Sequence, residues 1–220
     1  MNDRLQLYSY WRSSAAYRVR IGLNLKGLGY DILPVHLLRD GGEQHSDQFR
    51  VANPQGLVPV LQHGQRLLRQ SLAILQYMDE VWPQPALLPP VARDRARVRA
   101  LAQLIACDVH PLNNLRVLQY FEREWHVPQP ERDEWVRHWI SEGLGAFETM
   151  LDGHPSTDGF CDGNTPTLAD ICLVPQLYNA RRFGLDMSAW PTIVRIEKTC
   201  LALPAFDLAR PERQPDAPQA

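Results

Sequence analysis

The spacing of apolar positions changes period along the chain. Leu5 to Tyr10 reads as a strand, whereas from Ser14 to Lys26 the positions Ala15, Val19, Gly22 and Leu23 fall on one stripe of a 3.6-residue period and predict a helix. Arg18, Asn24 and Lys26 are expected elsewhere on that helix's surface, and Gly27 supplies its stop. Tyr30 to Val35 reads as a second strand, marked as an edge by Pro34. After the polar loop RDGGEQHSDQF, the stretches LVPVLQHG and QRLLRQ predict a hairpin turning at His63 and Gly64. SLAILQYMDEVW then carries Leu72, Leu75, Met78 and Trp82 at helical spacing, with Ser71 placed to cap it. The resulting order, β-α-β-short helix-β-β-α, is an α/β unit with a parallel and an antiparallel part.

PQPALLPP, four prolines in eight residues, breaks this pattern as a linker does. Beyond it the periodicity is helical throughout. Val98, Leu101, Ala102, Ile105 and Val109 form one stripe, and further helices are expected over 131–151, 167–183 and 190–203. Thr167 and Asp170 have capping-box spacing, a structural feature. The expected organisation is an α/β domain over 1–82, a linker over 83–90, an all-α domain over 91–211, and a proline-rich extended tail over 212–220.

Composition narrows the function classes. A formal charge of −2 and a pI near 6.4 give no general attraction to nucleic acid or an anionic membrane, so any anion recognition must come from locally placed arginines. MNDRLQ lacks the layout of a secretory leader and no apolar run approaches a bilayer span, so a cytoplasmic protein is expected. Cys107, Cys161, Cys172 and Cys200 form no C-x-x-C pair, which suggests neither a zinc site nor a disulfide framework; they read as reduced, mostly buried small hydrophobes.

Three places carry candidate chemistry. Arg12, Ser13 and Ser14 stand where the first helix begins and its backbone N–H groups lack intrahelical partners, a seat for an anion. Pro59 stands at the start of a strand: it is either an ordinary edge proline or part of a cis Val58–Pro59 bond that would turn the Val58 amide outward to pair with an extended peptide. Gln70 and Ser71 open another helix and offer a second anion site. Together these describe a receptor for a short anionic peptide that carries a thiol. In the helical domain, Pro111 should kink a helix, crowding His110, Asn113, Asn114 and Arg116 there, either as bridges across the kink or as ligand contacts.

YWRSSAAYRVRIGLNLKG, NPQGLVPVL, RQSLAILQYMDE, HPLNNLRVLQ, NTPTLADICLVPQ, NARRFGLDM and the closing RQPDAP, in this order, resemble the zeta class of glutathione transferases, from about Leu7 to Pro218. The resemblance implies a thioredoxin-like N-terminal domain, an α-helical C-terminal domain, homodimerisation, and glutathione as cofactor. The family motif S-S-C-x-W/Y-R-V-R-I matches at Ser13, Ser14, Tyr17, Arg18, Val19, Arg20 and Ile21, but Ala15 stands where many members carry cysteine. By the resemblance Ser13, Ser14 and Arg12 are the catalytic candidates, Val58 with a cis Pro59 pairs with the cysteinyl part of glutathione, Gln70 and Ser71 hold its γ-glutamyl end, and Gln44 and Asn114 add contacts.

The implied activity is a glutathione-dependent cis–trans isomerisation of a maleyl keto acid, maleylacetoacetate or the smaller maleylpyruvate. Rivals are a transferase acting on 2-halo acids and, from another class, a non-catalytic adaptor, against which the retained RSS, VP and QS elements count. A small dicarboxylate substrate calls for arginine forks, and Arg12, Arg116 and Arg182 are the candidates, the first from the thiolate domain and the others from the helical domain expected to roof the cleft.

Overall fold

The computed structural model describes residues 4–218. Residues 1–3, part of the stretch read for a leader, and 219–220, the end of the expected tail, lie outside the described residues. Packing divides the chain into two units: the chain up to Ala86 together with the segment from Leu203 onward, and Leu87–Ala202. The break falls inside the expected linker. Among the described residues no helix is long and apolar enough to cross a membrane.

The first unit is built on β1 (Leu5–Ser9), α1 (Ser14–Leu25), β2 (Tyr30–Pro34), the short α2 (Asp47–Ala52), β3 (Val60–His63), β4 (Arg66–Arg69) and α3 (Ser71–Val81). Its sheet has the order β2-β1-β3-β4, with β2 parallel to β1 and the other pairs antiparallel, so Pro34 does sit on an edge strand. Leu5, Leu7, Val60 and Leu61 from the sheet and Ile21, Leu23, Ile74, Leu75 and Met78 from the helices are essentially free of solvent. Gly22 permits the approach of α1 to α3, since a Cβ there would stand 2.3 Å from Leu75 Cδ2 and 2.9 Å from Met78 Cε.

Helix α1 departs from its expected polarity. Arg18, Arg20 and Lys26 are buried with the apolar residues, and Ala15 is only half-buried. A buried charge needs partners, and Lys26 has three: Asp79 Oδ1 at 2.6 Å, the Trp82 carbonyl at 2.7 Å and the Pro85 carbonyl. Its ammonium therefore ties the end of α3 to the proline-rich segment that follows.

The closing segment is not the extended tail expected over 212–220, and the helical unit ends at Ala202 rather than 211. Helix α9 (Pro204–Asp207; α4 to α8 belong to the second unit) is followed by a 3-10 turn at Pro211–Arg213. Phe206, Ala209, Pro211 and Gln214 are buried, and the Gln214 amide donates to the Leu208 and Arg210 carbonyls at 3.0 and 2.8 Å. A compositional bias toward proline suggested an extended tail; side-chain capture of the segment's own carbonyls and apolar burial fold its described part instead.

The second unit holds α4 (Ala92–Gln103), α5 (Leu115–Trp125), α6 (Gln129–Leu151), α7 (Leu168–Arg182) and α8 (Pro191–Leu201), with no strand among its described residues. The expected stripe from Val98 to Val109 is buried throughout. It is not one α-helix, because the chain widens to a π-turn over Leu104–Val109 and tightens to a 3-10 turn over His110–Asn113. Pro111 has no N–H to give and its ring crowds the preceding turn, which accounts for the change of winding. The capping box forms as expected: Asp170 Oδ2 accepts from Thr167 N at 2.7 Å and its Oδ1 accepts from Cys161 N at 2.8 Å. Burial raises the Asp170 pKa against these hydrogen bonds.

Lys26→Met removes a buried charge and takes its ammonium away from Asp79 and from two carbonyls, so it should lower unfolding free energy by about 3 kcal/mol in a urea titration. A midpoint equal to that of the unmutated protein would show that these contacts do not hold the segment.

Candidate active site

Strand register brings the three candidate places to one end of one sheet. Tyr8 pairs with Val60 and Val60 with Arg69, so the end of β1, the start of β3 and the end of β4 lie side by side. The chain just beyond those positions is Tyr10 to Ser14, Val58–Pro59 and Gln70–Ser71. The Val58–Pro59 bond is cis, resolving the alternative left by the sequence.

Ser13 is the N-cap of α1, its Oγ accepting from Ala16 N at 3.2 Å. That contact uses an oxygen lone pair and leaves the hydroxyl hydrogen to donate to an anion. Ser14 is the first residue of the helix and is half-buried. Arg12 stacks on its neighbour, Cζ 5.3 Å from the Trp11 ring centroid. Ser71 is not the cap of α3: the capping position is Gln70, at φ 68, and it makes no side-chain capping bond. The positive φ directs the Gln70 backbone away from a helical path, and its side chain donates to Gln55 Oε1 at 2.9 Å. Ser71 Oγ accepts instead from Arg18 Nη1 at 3.3 Å.

Arg18 is the residue that sequence reasoning misplaced. It is 1% exposed and links the first turns of α1 and α3. Its helical phase, adjacent to Val19, gave no sign of burial, because α1 is covered nearly all round.

Gln44 is buried in the loop after β2, which leaves the sheet at this same end. Its Nε2 donates to the Leu37 carbonyl at 3.3 Å, while its Oε1 has no partner among the described residues. A buried acceptor left this way suits an incoming N–H or ammonium group. Hydroxyls, helix N-termini, the free acceptor and the cis peptide edge together fit a peptide with a thiol, an ammonium and carboxylates.

The remaining candidates lie in the second unit, where a relay of amides reaches Arg182. Asn113 Nδ2 donates to the Val109 carbonyl at 2.9 Å, where the winding changes, and Asn179 Nδ2 donates to Asn113 Oδ1 at 3.1 Å. Arg182 donates through Nε and Nη2 to Asn179 Oδ1, at 3.2 and 2.8 Å, with Cζ 4.4 Å from the Phe183 centroid. The exposed guanidinium is thus held on one edge. Asn114 caps α5, its Oδ1 accepting from Arg116 N at 3.1 Å, and the Arg116 side chain is exposed. Pro111 therefore does what a kink proline does, and Asn113 bridges the kink and connects through Asn179 to Arg182.

Comparison with known proteins identifies the family. The family model of the glutathione S-transferase N-terminal domain matches residues 7–86 and that of the C-terminal domain matches 129–213. A protein of Vibrio cholerae named as a probable maleylacetoacetate isomerase is 52% identical over 213 residues, covering 97% of this chain and 98% of that one. The holo structure of a maleyl pyruvate isomerase, described as a bacterial zeta-class glutathione S-transferase, is similar with a TM-score of 0.94 at 44% identity, covering 97% of this chain and 100% of that one. A maleylacetoacetate isomerase of Methylobacterium extorquens AM1, crystallised with malonate and glutathione, has a TM-score of 0.94 at 43% identity and the same coverage. With two domain models in register and a relative this close over nearly its whole length, the chain belongs to the glutathione S-transferase family, in its zeta-class maleylacetoacetate isomerase group.

Proposed function

We propose that this chain is a glutathione-dependent cis–trans isomerase of a maleyl keto acid, with maleylacetoacetate as substrate and maleylpyruvate as the alternative. The observation that carries the reading is the convergence of Ser13, the cis Val58–Pro59 peptide and Ser71 on one sheet end, in a turn where Ala15 leaves no protein thiol. Bound glutathione supplies the sulfur nucleophile, whose reversible addition to the conjugated double bond lets that bond turn as a single bond.

The chain's own residues do the rest. The Ser13 hydroxyl donates to the thiolate and, with the N-terminus of α1, favours the ionised sulfur at neutral pH. Val58 pairs through its backbone with the cysteinyl portion, and Gln70, Ser71, Gln44 and Asn114 hold the remainder of the tripeptide. Arg12, Arg116 and Arg182 take the substrate carboxylates and the oxygen on which negative charge develops, for which a fixed guanidinium fork is suited. Ser14 contributes a second hydroxyl. The resemblance extends the reading to a cytoplasmic homodimer. The transferase and adaptor rivals are separated from it by one assay, purified protein on maleylacetoacetate and maleylpyruvate with and without glutathione.

Isomerisation should require added glutathione and leave its concentration unchanged; stoichiometric loss of thiol during turnover overturns the isomerase reading. Ser13→Ala should cost about 1.5–3 kcal/mol of transition-state stabilisation, roughly 10- to 150-fold in rate, and raise the pKa of bound glutathione measured by thiolate absorbance. Arg182→Lys keeps the charge and loses the fork, so it should raise KM for the diacid while glutathione affinity stays close to that of the unmutated protein. An unchanged KM in that variant removes Arg182 from substrate binding.

A further inference from the structure

RQPDAP, near the end of the chain, has no part in the site described so far, yet it terminates on the turn that presents Arg12 and Ser13. That turn runs from Tyr10 to Ser13, closed by Ser13 N donating to the Tyr10 carbonyl at 3.0 Å, with Trp11 and Arg12 at its centre. The Trp11 N–H donates to Asp216 Oδ2 at 2.8 Å. The Trp11 carbonyl accepts from Arg20 Nη2 at 3.0 Å, and the Tyr10 carbonyl accepts from Arg20 Nη1 at 3.4 Å. Arg20 is itself anchored at both ends, Nη1 on Ser9 Oγ and Nε on the Ala209 carbonyl, each at 3.0 Å.

The closing segment therefore grips the turn twice, directly through Asp216 and indirectly through Ala209 and Arg20. Asp216 also opposes the burial that brings the Arg20 pKa down to about 10, although Tyr30 and Tyr17 act more strongly in the same sense. The carboxylate is not placed there for its own satisfaction. Its Oδ1 is buried with no hydrogen-bond partner among the described residues, which costs free energy that a neutral residue would not incur.

We propose that Asp216 is a positioning residue for the thiolate site: by holding the Trp11 N–H while Arg20 holds the Trp11 carbonyl, it sets the orientation in which Arg12 and the Ser13 hydroxyl meet bound glutathione. The role rests on the glutathione reading above. It acts through the turn, since nothing places Asp216 itself on the ligand.

The test uses the full chain and glutathione itself, with affinity read by calorimetry and sulfur ionisation by thiolate absorbance against pH. Asp216→Ala, checked for fold by circular dichroism, should weaken glutathione binding roughly 10-fold and move the thiolate midpoint to higher pH, because a displaced Ser13 no longer favours the anion. Asp216→Asn retains an oxygen to accept from Trp11 and should recover most of both. Asp216→Glu, which keeps the charge and misplaces the acceptor by one methylene, replaces the alanine variant if that one does not fold, with the same rise in midpoint expected. A purely structural role would lower thermal stability with the thiolate midpoint unmoved, and that result overturns the proposal. Unmutated protein that binds glutathione while its folded variants match it overturns this role alone; unmutated protein that binds none overturns the glutathione reading as well.

Discussion

A guanidinium removed from water is the constraint around which the first unit is arranged. Arg20 is fully buried, and a charge so placed is tolerable only if its donors are met. Those donors are met by the last residue of β1, by two carbonyls of the turn that follows and by the carbonyl of Ala209 from far along the chain. A strand end, a turn and a terminal segment are thereby fixed to one planar group. Because the guanidinium's nitrogens lie in a rigid fork, a shift of any one of these pieces misaligns the others.

The second unit solves a related problem with neutral groups. Pro111 denies the helix a donor, the winding changes, and across the new winding the Asn113 side chain donates to the Val109 carbonyl while its own oxygen is met by Asn179. Close approach makes this possible: a Cβ on Gly143 of α6 would stand 2.1 Å from Val109 Cγ2. The amides run on to Arg182, so a line of hydrogen bonds joins the change of winding to a surface cation.

Much of this was legible in the chain and some was not, for physical reasons. Strand and helix periods located β1 to β4, α1, α3, α6, α7 and α8, because the spacing of apolar positions keeps the element's period even where, as in α1, burial extends around most of the helix. The stripe from Val98 to Val109 was read as that of one helix, and its residues are buried together, but the π-turn within it was not legible, since winding depends on where the displaced carbonyls find donors. Arg18 and Lys26 read as surface residues because charge was taken as a proxy for exposure; Ser71 and Asp79, which meet them, each lie 53 residues away, beyond any local pattern. The closing segment was misread for the same reason, its proline content outweighing the apolar Phe206 and Ala209 that anchor it. Of the candidate site, the hydroxyls and the Val58–Pro59 peptide were visible as local motifs, while their convergence depended on strand register.

Ala15 leaves the turn without sulfur; of the four cysteines Cys107 is exposed, whereas Cys161, Cys172 and Cys200 are buried as expected, and two of these are kept from reacting. Cys161 and Cys200 are buried, and burial first, with the nearby Asp170 next, pushes both thiols well above their usual pKa and so away from the reactive thiolate. On the glutathione reading, the reactive atom then arrives and departs with a diffusible molecule. Oxidation of that atom spoils one ligand, which exchanges, whereas oxidation of a resident cysteine would spoil the protein. The lifetime of the active site is in this way uncoupled from the lifetime of its nucleophile.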